Sequence, residues 1–281
     1  MYKVPIIIFA YNRPSHFKRV MIALENSKIK NKIYLFLDGP RDKKDKILQK
    51  DILSAVSRLG KFNNYNKNQI KIFKNKRNLG LAKSISKGLD KMSNKYKNFI
   101  VLEDDVIPYS NMIPFLSKCL AKYKNEKKIG AICSYQFFNF EKNSKFLETK
   151  FLKHFIPWGW AIWSDRWKEF RRNYKIDYSK VPKFIISLKK KLDKKKVGKR
   201  YWSLNFMIYN YCNKNNFIFP NYSLSKNIGF DGSGTNSLIT NDLYVLDKDI
   251  KKFRYTDIKL KKFEISKQEK LFKKVSKNFY N

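Results

Sequence analysis

Histidine, cysteine, acidic residues and long apolar runs are all scarce in this chain, and each shortage removes a class of protein. Three cysteines, Cys119, Cys133 and Cys212, make an odd count without a CxxC pair, and only 2 histidines accompany them. A disulfide framework and a Cys/His zinc site are both excluded on that count. No segment approaches the roughly 18 to 20 uninterrupted apolar residues of a membrane span, so any membrane association is expected to be peripheral. The opening "MYKVPIIIFAYNRP" has too short an apolar run for the core of a secretory signal. It reads as a first β-strand, which predicts a cytoplasmic protein.

Acid is the scarcest charge, with 23 Asp+Glu against 62 Lys+Arg and a formal charge of +39. That excess suggests partners carrying negative charge: nucleic acid, an anionic membrane or phosphorylated substrates. Lysine is accompanied by abundant Asn and Ile, so nucleotide composition accounts for part of the bias. What is present in quantity is apolar and aromatic material, 43% and 16% of the 281 residues, enough for a packed core and incompatible with global disorder.

Apolar runs alternate with helical patterns through the first half, the mark of a mostly parallel sheet flanked by helices. Strands are predicted at Val4 to Ala10, Ile33 to Leu37, Ile70 to Phe73, Phe99 to Leu102 and Ile129 to Cys133. A helix follows Pro14, with Phe17, Val20, Met21 and Leu24 on one face. A second carries Leu48, Ile52, Val56 and Leu59 and is predicted to stop at Gly60. A third, opening in "RNLGLAKS", turns Leu81, Ile85, Leu89 and Met92 inward. A fourth is capped by Ser110 or Asn111. Beyond about residue 140 the pattern becomes α+β and aromatic: "HFIPWGWAIWSDRW" holds four of the five tryptophans, a helix is predicted over "RYWSLNFMIYNYC" and a short strand near Phe217. These signals predict one domain over residues 1–245, with a nucleotide-binding half (1–135) and an acceptor half (136–245), followed by a basic appendage (246–281).

Against this basic background stands "IVLEDDVIPYS", three consecutive acids at the carboxyl end of the fourth predicted strand. In open α/β sheets ligands collect at that edge. Asn12-Arg13, Asp38 and the Asn78, Gly80 and Lys83 turn fall at the same edge. Adjacent acids repel unless a cation or hydrogen-bond donors lie among them. Mg²⁺ or Mn²⁺, which binds through one or two carboxylates plus substrate phosphates, answers that need. A solvated acidic turn is the plainer alternative for such a triplet alone.

The ordered blocks "PIIIFAYNRP", "FLDGPR", "NLGLAKSI", "VLEDDVIPYSNMIPFL", "IPWGWAIWSDRW" and "NIGFDGSGT" resemble bacterial nucleotide-sugar glycosyltransferases of the GT-A fold, a Rossmann-like arrangement, which in turn resemble the eukaryotic N-acetylglucosaminyltransferase I group. The resemblance covers about residues 4 to 240. It implies an α/β fold of mixed, mostly parallel sheet flanked by helices, with an α+β acceptor half. The triplet matches the DxD-type motif, which implies Asp105 as ligand to Mn²⁺ or Mg²⁺ and Glu103 and Asp104 facing the donor's sugar and ribose. Arg13 and Asp38 match base-contacting positions, and Asn78 and Lys83 lie in the block near the diphosphate. Trp158, Gly159 and Trp160 match the segment framing sugar and acceptor, whereas Trp163 and Trp167 read as core. Gly232, Ser233 and Gly234 match a mobile loop over the donor.

The chain departs from that pattern where the family has an acid after the tryptophan of "YWSLNFM": here stands Ser203, with Asn205 two residues on. Thr235-Asn236 likewise replaces a Thr-His. Three readings stay open: another acid, Asp231 or Asp165, serves as base; the reaction retains configuration; or catalysis is impaired. The resemblance implies a nucleotide-sugar donor, a UDP-sugar first, and a surface glycan or lipid-linked acceptor at the inner membrane. The lysines from Lys189 to Lys196 and the basic tail would favour an anionic leaflet. The competing reading is a nucleic-acid protein, from the charge and from 5 Trp, 17 Tyr and 23 Phe. No helix-turn-helix, RNP-like or zinc-finger signature supports it, so no nucleic acid is expected.

Overall fold

The computed structural model describes residues 3–27, 30–62, 69–136, 144–173, 177–194, 202–233 and 255–262. Four βα units build the first part: β1 (Ile6–Ala10), α1 (Pro14–Asn26), β2 (Ile33–Leu37), α2 (Lys43–Phe62), β3 (Ile70–Lys74), α3 (Leu81–Ser93), β4 (Asn98–Glu103), a short β5 (Val106–Pro108) and α4 (Met112–Lys122). Then come β6 (Ile129–Cys133), β7 (Leu147–Leu152), β8 (Trp160–Trp163), α5 (Ser164–Arg172), α6 (Lys183–Lys194), α7 (Trp202–Cys212), β9 (Asn216–Pro220), β10 (Ser225–Asn227) and β11 (Ile258–Lys259).

Among the described residues the main sheet has nine strands in the order β11-β7-β9-β6-β8-β4-β1-β2-β3. β3, β2, β1 and β4 run parallel, so their carboxyl ends share one edge. β1 and β2 are buried along their whole length, which is why they read as unbroken apolar runs rather than alternating ones. β8 enters antiparallel between β4 and β6. The sheet is therefore mixed and mostly parallel, and the aromatic second half joins it.

The aromatic residues explain why that half packs where it does. Phe155 meets Trp160, Trp202, Phe206 and Phe217 with ring centroids 5.0 to 5.9 Å apart. Burying such rings and pairing their edges and faces is the principal cohesive force of this region. Trp163 and Trp167 pack inside as expected, and each finds a polar partner for its indole N–H: the carbonyl of Leu120 (3.0 Å) and Asp90 Oδ1 (2.8 Å).

Three local expectations change. Gly60 does not stop α2, which continues to Phe62. Leu81, the first residue of α3, is 42% exposed rather than turned inward. The tail contributes more than a surface appendage. Residues 255–262 supply β11, parallel to β7, with Lys261 N–H bonded to Thr149 Oγ1 at 2.9 Å. The remainder of that tail, and Lys195 and Lys196, lie outside the described residues.

Candidate functional site

The acids meet their counter-charge in the loop after β1. β4 ends at Glu103, the chain turns through Asp104 and Asp105, and β5 begins at once. Arg13 immediately precedes α1, where Pro14 presets the helical φ of the first turn. Its Nη2 bonds Asp104 Oδ1 and lies 2.8 Å from Asp105 Oδ2, while Tyr11 N–H donates to Asp104 Oδ2 at 3.1 Å. Burial works against the Arg13 charge, but Asp104 and Asp105 outweigh it and hold the guanidinium protonated. Burial, joined by the charge of Asp105, pushes Glu103 up to about 8 despite Arg13. Burial and the neighbouring carboxylates thus favour the protonated form of Glu103.

A second set of contacts stiffens the edge beside it. Asp38, 5% exposed, accepts hydrogen bonds from Leu79 N–H (3.1 Å), Gly80 N–H (2.9 Å) and Asn75 Nδ2 (3.0 Å). Asn78 Nδ2 donates to the carbonyl of Gly39 at 3.0 Å. These contacts make Asp38 and Asn78 the clasp between the loops after β2 and β3. Asp45, buried in the first turn of α2, gathers Tyr11 OH, Asn12 Nδ2 (2.7 Å) and Arg41 Nε (3.1 Å). Burial opposes ionisation of Asp45, but Arg41 and Tyr11 hold its carboxyl well below the usual range. The Tyr11 hydroxyl is correspondingly pushed up to about 12 by burial and by Asp45. The Arg41 guanidinium lies 5.1 Å from the centre of the Tyr11 ring.

The glycine-containing segment is delivered to the acids by strand pairing. β10 runs antiparallel to β5, opposing Asn227 to Val106 next to Asp105. Ile228 N–H then donates to the Asp105 carbonyl at 2.9 Å. Gly229 passes so close that a Cβ there would collide with Asp105 Oδ2 and stand 3.1 Å from Arg13 Nη1. Further on, Asp231 Oδ2 lies 3.1 Å from His16 Nε2, on the first turn of α1. Ser233 N–H and Oγ both bond Asp231, and these bonds lower its pKa ahead of the His16 charge. Trp158 touches the same segment through Phe230, ring centroids 5.3 Å apart. Gly159 carries a φ of +80° and abuts Ser134 Oγ, a place only glycine fills.

Arg13, Glu103, Asp104, Asp105, Asp231, Gly232, Ser233 and Trp158 thus converge on one edge, and Asp38, Asn78 and Lys83 flank it, with Lys83 exposed on the first turn of α3. Two candidates fall elsewhere. Trp160 is 1% exposed within the aromatic core, packed against Phe155 and Trp202, the chain having turned at Gly159 (φ +80°) between it and Trp158. Asp165 follows Trp163, which pairs with Asn98 at the start of β4. Five residues at ~3.3 Å each put it about 17 Å along the strand from Glu103. There it pairs with Lys127 (2.5 Å) and Arg166 (2.8 Å) and cannot act as a base for chemistry at the acids. Ser203 is buried, and Asn205 has a buried Oδ1 without a hydrogen-bond partner among the described residues. Gly234, Thr235 and Asn236 lie outside the described residues. Tyr11, Arg41, Asp45 and His16 were not singled out from the sequence; "YNRPSH" and "GPRDKKD" fall at strand ends and could have been searched for polar side chains.

The sequence pattern of glycosyl transferase family 2 matches residues 6–193, about two-thirds of the chain. The chain belongs to glycosyl transferase family 2. The match is to the family as a whole and does not single out the N-acetylglucosaminyltransferase I group. The mixed sheet with flanking helices is the GT-A, Rossmann-like fold of a family 2 glycosyltransferase. Among solved structures the chain is similar to an active-site mutant of LgtC, with a TM-score of 0.39 and 11% identity over 72% of this chain and 68% of that one. It is also similar to the galactosyltransferase LgtC in complex with donor and acceptor sugar analogues, with a TM-score of 0.37 and 12% identity over 72% and 69% of the two chains. No curated protein sequence matches it.

Glycosyltransferases of this fold typically use a divalent cation, which prompts the question of whether these residues suit one. Among the described residues no three His, Cys, Asp or Glu side chains are gathered to hold an ion by themselves. One carboxylate suffices where substrate phosphates complete the shell. Asp105 offers such a carboxylate, its side chain 13% exposed, although Arg13 and the backbone of Gly229 are packed against its Oδ2. The family 2 site therefore suits a cation shared with a donor rather than one caged by protein.

Proposed function

We propose that this glycosyltransferase moves a hexosyl or N-acetylhexosaminyl group from a nucleotide-diphosphate sugar, a UDP-sugar first, to a bacterial surface glycan such as lipooligosaccharide, O-antigen or capsule. The observation that carries the reading is the meeting of Arg13, Asp104 and Asp105 at the carboxyl edge of β1 and β4, beneath the segment after β10. In this reading Tyr11 and Arg41 bind the base, and Glu103, donating from its protonated carboxyl, and Asp104 orient ribose and sugar. Asp105 would hold Mn²⁺ or Mg²⁺ together with the donor phosphates. A bound divalent cation supplies positive charge that offsets the charge developing on the diphosphate as the anomeric bond breaks.

The bond's electron pair leaves with the diphosphate, and the acceptor hydroxyl attacks the anomeric carbon. Asp231 takes the hydroxyl proton, its carboxylate kept ionised by Ser233 and faced by His16. This role falls to Asp231 because Ser203 cannot ionise at neutral pH and Asp165 lies at the other end of the sheet.

Release of nucleotide from a panel of UDP-, GDP- and TDP-sugars tests the proposal. Turnover of one donor with Mn²⁺, lost on Asp231→Asn with donor affinity retained, is the expected outcome. Failure of every donor to bind or turn over would sink it.

A further inference from the structure

Asp105 is already provided with a cation, and that cation belongs to the chain. Arg13 Nη2 sits 2.8 Å from Asp105 Oδ2 and bonds Asp104 Oδ1 as well, with the Arg13 side chain 17% exposed. The segment after β10 closes on the pair: Gly229 abuts Asp105 Oδ2 and Arg13 Nη1, and Ile228 is bonded to the Asp105 backbone. His16, three residues after Arg13, holds the far end of the segment through Asp231. A divalent ion on Asp105 Oδ2 would meet both a like charge at contact distance and a backbone lying across the approach. The two cations therefore exclude each other at this oxygen.

We propose that Arg13 is the resting counter-ion of Asp105 and that it exchanges this carboxylate for the donor's diphosphate, so that divalent cation and nucleoside diphosphate bind together and each binds weakly alone. The proposal rests on the donor-binding reading above. Its driving force is a swap of partners. A planar guanidinium suits phosphate oxygens as well as it suits carboxylate. Once a diphosphate takes Arg13, Asp105 is left without its cation and accepts the divalent ion, which the same phosphates complete. Each ligand removes the obstacle to the other, and by linkage the enhancement is equal in both directions. Gly229 is the natural pivot, since the segment must shift to admit phosphates and no side chain there obstructs it.

Titration of the full chain with Mn²⁺, read by the electron paramagnetic resonance of the free ion, tests this directly. UDP, GDP and TDP are screened first, and the tightest is carried forward. The wild type is expected to bind Mn²⁺ at least tenfold more tightly with the nucleotide present than without it. Arg13→Gln is expected to bind Mn²⁺ at least tenfold more tightly than wild type without nucleotide, and to lose most of the nucleotide's effect. Arg13→Lys keeps the charge and should behave closer to wild type. If Arg13→Gln fails a circular-dichroism check of folding, Asp104→Asn, which removes one of Arg13's two anchors, should show the same change at smaller amplitude.

Mn²⁺ binding that is indifferent to nucleotide in the wild type, or that is not tightened in any of these variants, overturns the exchange. A wild type that binds none of the three nucleotides at any Mn²⁺ concentration overturns the donor reading and the exchange with it.

Discussion

His154 follows β7, is 1% exposed, and neither ring nitrogen has a hydrogen-bond partner among the described residues. Burial pulls its pKa down from 6.5 to about 3, so the folded protein holds the neutral imidazole against Phe219. An unfolded chain takes up that proton below about 6.5, whereas the folded one resists until about 3. His154 therefore favours the fold above 6.5 and progressively disfavours it as pH falls toward 3, by on the order of 5 kcal/mol at the acid limit. His154→Leu should flatten denaturant midpoints between pH 6.5 and 4 without lowering stability at pH 7. A variant with the wild-type acid slope would assign that slope to other groups. At the site itself, Asp105→Asn should cut kcat/KM about 100-fold, in line with the loss of one transition-state charge partner. The check is steady-state turnover with the tightest donor.

Elements decide how those residues meet. Asp38 is legible in the sequence as a strand-end acid, but only the parallel pairing of β2 with β3 shows that it caps the loop leading into α3. Asp38→Ala leaves Leu79 and Gly80 N–H groups without their acceptor, at a cost of ~3 kcal/mol. Amide exchange at residues 78–84 should accelerate while that of β1 does not; equal acceleration everywhere would mean that the clasp is not local. The β10–β5 pair is a comparable device, absent from the sequence reading because three-residue strands leave no periodic signal. Gly229→Ala forces the segment it delivers off Asp105. That variant is expected to raise donor KM about tenfold and, because Gly229 is buried, to lower the thermal midpoint as well.

For the molecule as a whole the dominant quantity is charge, +39 over 281 residues. No helix among the described residues is long and apolar enough to cross a membrane. Each Lys or Arg near an anionic leaflet contributes about 1 kcal/mol, screened beyond ~8 Å at physiological salt. Vesicles containing anionic lipid are expected to sediment the protein at low salt and release it as salt rises. Sedimentation with neutral vesicles, or none with anionic ones, would contradict an electrostatic association.

Strand-by-strand, the first half was readable because β1, β2 and β4 are buried on both faces and announce themselves as apolar runs ended by polar residues, while the edge strand β3 shows itself by alternation. Phe99 to Leu102 followed by Glu103, Asp104 and Asp105 carries that signal in seven adjacent residues. The partner of those acids carries none, since Arg13 lies 91 positions from Asp104. Asp165 looked equivalent to Asp231 for the same reason: residue type is local, but the end of the sheet on which a residue lands depends on whether its strand runs with or against β4. Composition and periodicity by themselves determined a mixed α/β chain with an acidic strand end. The tertiary structure alone decided that Arg13 neutralises that end and that Gly229 closes over it, because strand order and direction, not spacing along the chain, bring charges within reach of one another.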